Sequence, residues 1–197
     1  NWQDGKQLEL KDRTLIMGIL NGTPDSFSDG GRYNTSDTAV AHAKSMIEQG
    51  ADIIDVGVES TRPGHTQISV AEEIERMKDI LLPVLDVCTI PVSVDTYRAE
   101  TADFALSHGA HILNDIWGLK YDKDMAAVAA KYDVPVIIMH NQNTTDYDDI
   151  IDDMKAFFFS SVDLALKEGV KPQNIWLDPG IGFGKDYAQN VEVIQRL

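Results

Sequence analysis

The chain has 197 residues, of which 32 are acidic and 17 basic, and its formal net charge is -15. This length fits one domain with one substantial core, while the acidic balance and the lack of any Lys or Arg cluster argue against nucleic acid or a membrane as a partner. Cys88 is the single cysteine, which rules out an intrachain disulfide and favours a reducing compartment, so we expect a cytoplasmic protein.

Six short apolar runs alternate along the chain with longer stretches of helical period. This alternation is typical of repeated βα units with a parallel sheet, which form either an open doubly wound sheet or a closed barrel. No linker or low-complexity segment interrupts it, so we predict one α/β domain over residues 1–197. The predicted strands are residues 14–20, 52–57, 91–95, 111–115, 135–140 and 174–178.

Two of the predicted helices carry end signals. The first runs up to Gly50, a residue suited to a helix C-cap, and the second starts with a capping box of Ser69 and Glu72. Both show apolar residues every three or four positions, as expected for helices that cover a sheet. These are Ala39, Val40, Ala43, Met46 and Ile47 in the first helix, and Ile74, Met77, Leu81 and Val84 in the second.

Each predicted strand is followed by polar residues. A single Asp or Asn in such a place is most often a helix N-cap or a turn residue. Six polar strand ends are harder to assign to capping alone, because parallel strands gather their carboxyl ends at one edge, where ligands bind. We therefore predict a polar ligand site formed by Asn21, the stretch "ESTRPG" from Glu59, Asp95, Asn114 and Asp115, residues 139–141, and Asp178.

Two predicted loops are longer than usual connections. The first runs from Asn21 to Ser36, whereas connections of this type have about 2 to 6 residues, so we expect a lid. The second places Arg62 beside Pro63, directly after the second strand. Its guanidinium could bind an anion or stack on a ring, although a solvated surface arginine is the plainer alternative.

The glycine-rich run "DPGIGFGK" at residues 178–185 raises the possibility of a phosphate-binding loop. A loop of that kind needs the pattern G-x-x-x-x-G-K-[ST], but here the glycine spacing differs and Asp186 follows Lys185. The phosphate interpretation therefore fails for this run. Glycines here permit a tight backbone turn, and we expect them to leave room for flat ring ligands.

Five stretches in this order, "MGILNGTPDSFSDGG", "ESTRPG", "SVDTYR", "NDIWG" and "WLDPGIGFGK", resemble the dihydropteroate synthase family. The resemblance covers nearly the whole chain from Ile16. It implies a TIM (β/α)₈ barrel, of which this chain supplies about six units. It also implies a transferase of folate biosynthesis that joins 6-hydroxymethyl-7,8-dihydropterin pyrophosphate to p-aminobenzoate, releasing pyrophosphate and forming dihydropteroate.

The resemblance assigns pterin binding to Asp178, Asn114 and Asp95, with Met139 as an apolar floor beneath the ring. A carboxylate and an amide suit the row of N–H and carbonyl groups on a pterin edge. The charge of Asp95 could stabilise positive charge that develops on the methylene carbon as pyrophosphate leaves. His140 is not a general base in this interpretation and instead orders the end of its strand.

The remaining implied contacts concern aminobenzoate and the pyrophosphate. Thr61 and Arg62 would bind the substrate anion, while Phe27, Pro63 and Phe183 would surround aminobenzoate. Asn21 would help to hold Mg²⁺, because an amide oxygen is a suitable hard ligand beside phosphate oxygens and water. The residues expected to carry catalysis are Asp95, Asp178 and Arg62.

The chain departs from the family pattern in three places. Gly22 stands where the family usually has valine, and Val58 where it usually has glycine, so we expect a looser first loop and a stiffer second one. The family also continues beyond Leu197 with two further strand–helix units that bear cationic pterin and pyrophosphate contacts. Counting six units of eight, we expect unpaired edges on the first and sixth strands and either aggregation or association with a second copy as a homodimer. We also expect the 197-residue chain alone to bind pterin weakly, if at all, and to have negligible synthase activity.

Two alternative functions stay open at this point. A pterin-binding methyltransferase of the corrinoid-linked kind shares the barrel and the pterin-facing Asp and Asn, but should lack the "TPDSFSDGG" and "STRPG" loops. A noncatalytic pterin-binding paralogue, or a fragment that binds without turnover, differs in class, and a binding titration followed by a turnover assay would separate it from an enzyme.

Overall fold

The computed structural model describes residues 2, 4–9, 13–22, 31–60 and 67–197, with the backbone alone for residues 31–35. Strands and helices alternate along this part of the chain, as the sequence predicts. In chain order the elements are β1 (Met17–Asn21), α1 (Gly31–Glu48), β2 (Ile53–Gly57), α2 (Val70–Val87), β3 (Val92–Asp95), α3 (Ala99–Ser107), β4 (Ile112–Asp115), α4 (Met125–Tyr132), β5 (Val136–Met139), α5 (Ile150–Lys167), β6 (Ile175–Asp178) and α6 (Tyr187–Arg196). A short 3₁₀ turn, Pro172–Asn174, leads into β6.

The six strands form one sheet in the order β1-β2-β3-β4-β5-β6. The pairs β1–β2, β2–β3 and β5–β6 are parallel. A doubly wound sheet would reverse its strand order at a switch point, whereas consecutive order is that of successive units in a (β/α)₈ barrel. The α/β fold with about six βα units is therefore confirmed, and the order favours the barrel over the open sheet.

The chain divides into two compact units. Unit 1 comprises Asn1–Thr96 and Glu100–Leu113, and unit 2 comprises Tyr97–Ala99 and Asn114–Leu197. The single domain expected from the sequence stays a prediction. In unit 1 all five residues of β2 are buried, as expected for a strand covered on both faces.

Helix α2 covers the sheet of unit 1 with the face that the sequence predicts. Met77, Leu81 and Val84 are buried, and Ile80 joins them, while Ile74 is half-buried. Ser69 is the N-cap, and its side chain accepts a hydrogen bond from the Glu72 N–H. The Glu72 carboxylate pairs with Arg76 one turn further on, at 2.5 Å, so its side chain serves the helix surface rather than a reciprocal box.

Helix α1 begins earlier than the sequence predicts. It starts at Gly31, so the expected loop over residues 21–36 is too long at its C-terminal end by most of two turns. Asn34, Thr35 and Ser36 are weak helix formers and typical turn residues, which explains the wrong boundary, because tertiary context overrides such propensities. At the other end of α1, Gly50 has φ +99°, as expected for a helix C-cap glycine.

Two apolar clusters lie in unit 2. One consists of Tyr97, Ile116 and Met139, with Trp117 and Phe183 packed against it. The other joins Ile150 and Met154 of α5 to Val193 of α6. The second cluster fastens the last helix, while the first lies where the loops after β4 and β6 meet the end of β5.

The first and last strands of the sheet order expose apolar side chains, whereas every residue of β2 is buried. Ile19 of β1 is 62% exposed, and Leu177 of β6 is 52% exposed. Within the described ranges of the chain, each of these strands has a strand neighbour on one side only. This agrees with the expected edges, but the self-association inferred from them stays a prediction. No helix in the described part of the chain is long and apolar enough to cross a membrane.

Candidate functional site

In unit 1 the carboxyl ends of three strands lie level with one another. Asn21, Gly57 and Asp95 occupy one row across β1, β2 and β3. Asn21 is exposed and Asp95 is half-buried. Asn21 and Asp95, two of the predicted site residues, therefore end the strands on either side of β2, level with Gly57.

Gly57 makes room for the side chain of Asp95. A Cβ atom at position 57 would lie 3.0 Å from Asp95 Oδ2 and 3.3 Å from Asp95 Cβ. A larger residue would crowd the carboxylate, so glycine at this position allows Asp95 to lie where it does. This contact gives a reason for Gly57 that the sequence alone does not supply.

Thr96, which follows Asp95, is hydrogen-bonded to a buried carboxylate. Glu73 of α2 is 1% exposed, and it accepts hydrogen bonds from the hydroxyls of Thr96 and Thr101 at 2.7 and 2.8 Å. These bonds tie the end of β3 and the start of α3 to α2. Sequence reasoning missed Glu73, because an acidic residue in the first turn of a helix is ordinarily explained by the helix dipole.

The ends of the second long loop are braced within unit 1. Glu59 accepts a hydrogen bond from the Ile68 N–H at 3.0 Å, and Arg76 donates to the Val58 carbonyl at 3.3 Å. Between them, Thr61, Arg62 and Pro63 lie outside the described residues, as does Phe27 of the first loop. The roles predicted for these four residues stay predictions.

In unit 2 the predicted residues of β5 and β6 are also level. Met139 pairs with Asp178 across the two strands, and the His140 N–H donates to the Asp178 carbonyl at 2.9 Å. Met139 packs in the apolar cluster with Tyr97 and Ile116, and Phe183 packs against the same cluster. The structure therefore brings Asp178, Met139 and Phe183 to one place in this unit.

Asn114 lies in β4 immediately before Asp115, which ends the strand. The carboxylate of Asp115 accepts hydrogen bonds from the N–H groups of Trp117 and Leu119, both at 2.8 Å. Leu119 has φ +67°, an unusual conformation for a residue with a Cβ atom. Burial raises the pKa of Asp115 to about 6, against the lowering effect of these two bonds. Asp115 is therefore the scaffold of the loop that follows Asn114.

Asp178 holds the start of the glycine run with one carboxylate oxygen. Its Oδ1 accepts a hydrogen bond from the Gly180 N–H at 2.7 Å. Among the residues that the structure describes, none donates a hydrogen bond to its other oxygen, Oδ2. The side chain is half-buried, so Oδ2 is an acceptor that a ligand N–H could satisfy beside the apolar cluster.

The glycines of this run are required by the chain next to them as well as by the turn. Gly180, Gly182 and Gly184 have φ values of +67°, +88° and +57°. A Cβ atom at Gly180 would lie 2.0 Å from the His140 carbonyl oxygen, and one at Gly184 would lie 2.6 Å from that of Gln142. The tight turn is confirmed. At Gly180 and Gly184, however, the space is taken by the backbone that leaves β5, whereas at Gly182 it is open.

Lys185, which closes the run, is buried. It is 8% exposed, and its ammonium lies 3.0 Å from His140 Nδ1, 3.0 Å from the Gly180 carbonyl and 2.9 Å from the Phe183 carbonyl. Burial lowers the pKa of Lys185 to about 8, opposed by the negative charge of Asp178. Burial, and then the charge of Lys185, lower the pKa of His140 to about 4. Sequence reasoning used Lys185 only to exclude a phosphate loop, since a loop lysine is by default exposed.

Asn21 can supply one hard oxygen ligand for Mg²⁺, and its exposure at the end of β1 allows this. Across the described residues there is no group of three or more His, Cys, Asp or Glu side chains that could form an all-protein site. Mg²⁺ commonly takes few protein ligands and completes its octahedron with substrate phosphates and water. The amide oxygen of Asn21 therefore suits a Mg²⁺ ion that is already bound to substrate phosphate.

The chain is similar to known proteins over nearly its whole length. The family described as pterin binding enzymes matches residues 17–197. Dihydropteroate synthase from Clostridium beijerinckii is 53% identical over 192 residues, which cover 98% of this chain and 71% of that protein.

Solved structures agree with this. Dihydropteroate synthase from Clostridium difficile, crystallised in the presence of pteroic acid, has a TM-score of 0.93 and 52% identity over 96% of this chain and 73% of that one. The Xanthomonas albilineans enzyme with 4-aminobenzoic acid has a TM-score of 0.88 and 38% identity over 93% and 67% of the two chains.

Proposed function

Because the chain belongs to the dihydropteroate synthase family of pterin-binding enzymes, we propose that it condenses 6-hydroxymethyl-7,8-dihydropterin pyrophosphate with p-aminobenzoate to give dihydropteroate and pyrophosphate. The observation that carries the proposal is the carboxylate of Asp178. One of its oxygens is engaged by Gly180, and the other has no donor among the described residues, beside the cluster that contains Met139 and Phe183. An acceptor next to an apolar surface suits a flat heterocycle with N–H groups on its edge.

The residues of unit 2 supply the proposed pterin contacts. Asp178 Oδ2 accepts from the pterin edge, and the Asn114 amide offers a donor and an acceptor to the same kind of edge. Met139 gives the ring an apolar surface, and Phe183, which packs against the same cluster as Met139, lies beside aminobenzoate. Two-point hydrogen bonding by a carboxylate and an amide would fix the orientation of the ring as well as its affinity.

Unit 1 supplies the residues proposed to stabilise charge during the reaction. Asp95, for whose side chain Gly57 leaves room, stabilises the positive charge that develops on the pterin methylene carbon as its bond to pyrophosphate lengthens. Asn21 would hold Mg²⁺ by its amide oxygen, and the ion would supply shielding of the pyrophosphate charge when bound. Thr61 and Arg62 bind the substrate anion in this proposal, and Phe27 and Pro63 cover aminobenzoate.

The reaction needs no nucleophile from the protein. The amino nitrogen of aminobenzoate forms a bond to the methylene carbon, the bond from that carbon to the pyrophosphate oxygen breaks, and the nitrogen then gives one proton to solvent water. The protein therefore contributes the orientation of the two ring substrates and fixed charge. Neither the substitution at the methylene carbon nor the proton loss requires a general base with a shifted pKa. His140 is engaged by Lys185, which agrees with a role in ordering the end of β5.

The remaining assignments are also proposals. A cytoplasmic location is supported by the single cysteine, and the lack of nucleic acid and membrane partners by the net charge of -15. A homodimer is supported by the exposed apolar side chains Ile19 and Leu177 on the first and last strands of the sheet order. The chain spans 71% of the length of the Clostridium beijerinckii relative, so any contact that the relative makes outside the matched region is not assigned to this chain.

Two measurements on the same preparation test the proposed function. Calorimetric titration with the pterin pyrophosphate, with Mg²⁺ present, measures binding, and a pyrophosphate-release assay with aminobenzoate then measures turnover. Binding with turnover supports the synthase, and binding without turnover indicates the noncatalytic pterin-binding alternative. If the pterin does not bind, the proposed function is wrong.

A further inference from the structure

We propose that Lys185 is a positioning residue of the site, whose ammonium holds the glycine run in the shape that presents Asp178 and Phe183 while touching neither ring substrate. The identity of those substrates rests on the proposed function. The inference itself rests on the contacts of Lys185, which no feature of the reaction requires and which the glycine pattern does not predict.

The three N–H bonds of the Lys185 ammonium match the three acceptors around it. His140 Nδ1, the Gly180 carbonyl and the Phe183 carbonyl lie within 2.9 to 3.0 Å of Nζ. A protonated lysine has three donors and no acceptor, so this arrangement satisfies it completely. With 8% of the residue exposed, removing the ammonium would take a donor away from His140 Nδ1 and from the Phe183 carbonyl, and would leave the Gly180 carbonyl with its bond from the Phe183 N–H.

These bonds connect the two residues that face the proposed ligands. The Phe183 N–H donates to the Gly180 carbonyl at 3.1 Å, which closes a turn, and the Gly180 N–H donates to Asp178. The ammonium bonds to both carbonyls of that turn, those of Gly180 and Phe183. Asp178, Gly180, Phe183 and Lys185 thus form one connected unit, so a shift at Lys185 reaches both the carboxylate and the aromatic ring.

The run is fastened at its other positions by neutral side chains. Asn190 accepts a hydrogen bond from the Gly182 N–H at 2.7 Å, and the Tyr147 hydroxyl donates to the Gly184 carbonyl at 2.6 Å. Lys185 is the charged side chain among these three. Of the three, it alone donates hydrogen bonds to carbonyl groups of residues 180–183. In this proposal, its bonds to the turn offset the desolvation cost of the buried charge.

A direct phosphate contact by Lys185 is the competing explanation. A phosphate oxygen would need a donor, but each of the three N–H bonds is already directed to an acceptor within the protein. Binding an anion would therefore break one of the bonds that hold the turn. The two explanations predict different dependence on the phosphate groups of the ligand, which makes them separable.

The test compares Lys185→Met, which keeps the apolar stem and removes all donors, with Lys185→Gln, which retains two N–H donors. Lys123→Met is the matched control, because it removes the same charge from a side chain that is 90% exposed. Affinity is measured for 6-hydroxymethylpterin with and without its pyrophosphate. We expect Lys185→Met to weaken both ligands equally, by about 10- to 100-fold, with Lys185→Gln intermediate and Lys123→Met unchanged.

Loss of affinity for the pyrophosphate ligand alone would assign Lys185 to the anion and overturn the inference, as would unchanged affinity for both ligands. Because a variant could be less stable, binding is measured at a temperature where each variant is folded. Hydrogen exchange of the Gly180 and Phe183 amides, measured without ligand, tests the stability of the turn independently of any function. We expect Lys185→Met to speed exchange at these two amides by about 10-fold or more, and unchanged protection would contradict the inference even if the wild-type chain bound no pterin.

Discussion

Gly22 and Val58 share one packing site in unit 1. A Cβ atom at Gly22 would lie 3.2 Å from Val58 Cγ1 and 2.2 Å from Ile80 Cδ1, and Val58 is completely buried. The sequence led us to expect a looser first loop from Gly22 and a stiffer second loop from Val58, as separate effects. The packing instead couples them, since the space that a side chain at position 22 would need is filled by Val58 and Ile80.

This coupling predicts a non-additive pair of substitutions. Gly22→Val alone should destabilise the fold by about 1 to 3 kcal/mol through overpacking, and Val58→Gly alone by a similar amount through an unfilled cavity. In the double variant Ile80 can move into the space that Val58 leaves, so the combined loss should be smaller than the sum. Denaturant unfolding of the four proteins measures this, and additivity within about 0.3 kcal/mol would show that the positions are independent.

The glycine run offers a matched pair for testing backbone packing. Gly180→Ala and Gly182→Ala both place a Cβ atom at positive φ, so both should lose roughly 1 kcal/mol to strain. Only the Cβ atom at position 180 meets the His140 carbonyl oxygen, at 2.0 Å. We expect Gly180→Ala to lose about 1 to 3 kcal/mol more than Gly182→Ala in denaturant unfolding. Equal losses would mean that the close approach to His140 is relieved without cost.

The two proposed catalytic carboxylates should differ in what they control. Asp178→Asn replaces one acceptor of the pterin edge with a donor or an uncharged oxygen, and we expect it to weaken pterin binding by about 1.5 to 3 kcal/mol. Asp95→Asn removes charge next to the developing cation and should act mainly on kcat. Pterin Kd and kcat are measured for both variants. Equal effects of the two variants on both constants would remove the distinction.

His140 should make stability depend on acidity. Its pKa is lowered in the fold to about 4 from an ordinary value of 6.5, so the unfolded chain takes up a proton first as the pH falls. The stabilising contribution is complete above pH 6.5 and is lost as the pH falls towards 4, by up to about 3 kcal/mol.

The comparison is with His140→Gln, which keeps an acceptor for Lys185 but does not titrate. Asp115, whose pKa is raised to about 6, affects stability in the opposite direction between pH 4 and 6, but it is present in both proteins and cancels in the difference. The difference in unfolding free energy between the two proteins should shrink from pH 7 to pH 4. A constant difference would show that His140 takes up its proton equally in both states.

The order of the elements, and the location of candidate residues such as Asp95 and Asp178 at strand ends, could be predicted from sequence, while their roles stay predictions. Alternation of apolar runs with helical periods determines a parallel sheet, and strand ends such as Asp95 and Asp178 follow from where each run stops. Met139 beside Phe183 also agrees with the expected apolar surface. The start of α1 was wrong because Asn34, Thr35 and Ser36 carry turn signals that local sequence cannot weigh against packing.

Residues that act through contacts distant along the chain could not be predicted. Glu73 meets Thr96 and Thr101 more than twenty positions away, and Lys185 meets His140 across 45 positions. Their residue types are those of ordinary surface positions, so only the fold distinguishes them. The close approach of Gly180 to His140 is hidden for the same reason, since a glycine in a turn already has a local explanation.

The most direct test of the central claim is the dependence of pyrophosphate release on aminobenzoate. The chain is incubated with the pterin pyrophosphate and Mg²⁺, with and without p-aminobenzoate, and pyrophosphate and dihydropteroate are measured in the same samples. The proposed synthase predicts release only when p-aminobenzoate is present, with one dihydropteroate formed for each pyrophosphate. Release at the same rate without aminobenzoate, and without dihydropteroate, would indicate hydrolysis and contradict the proposed function.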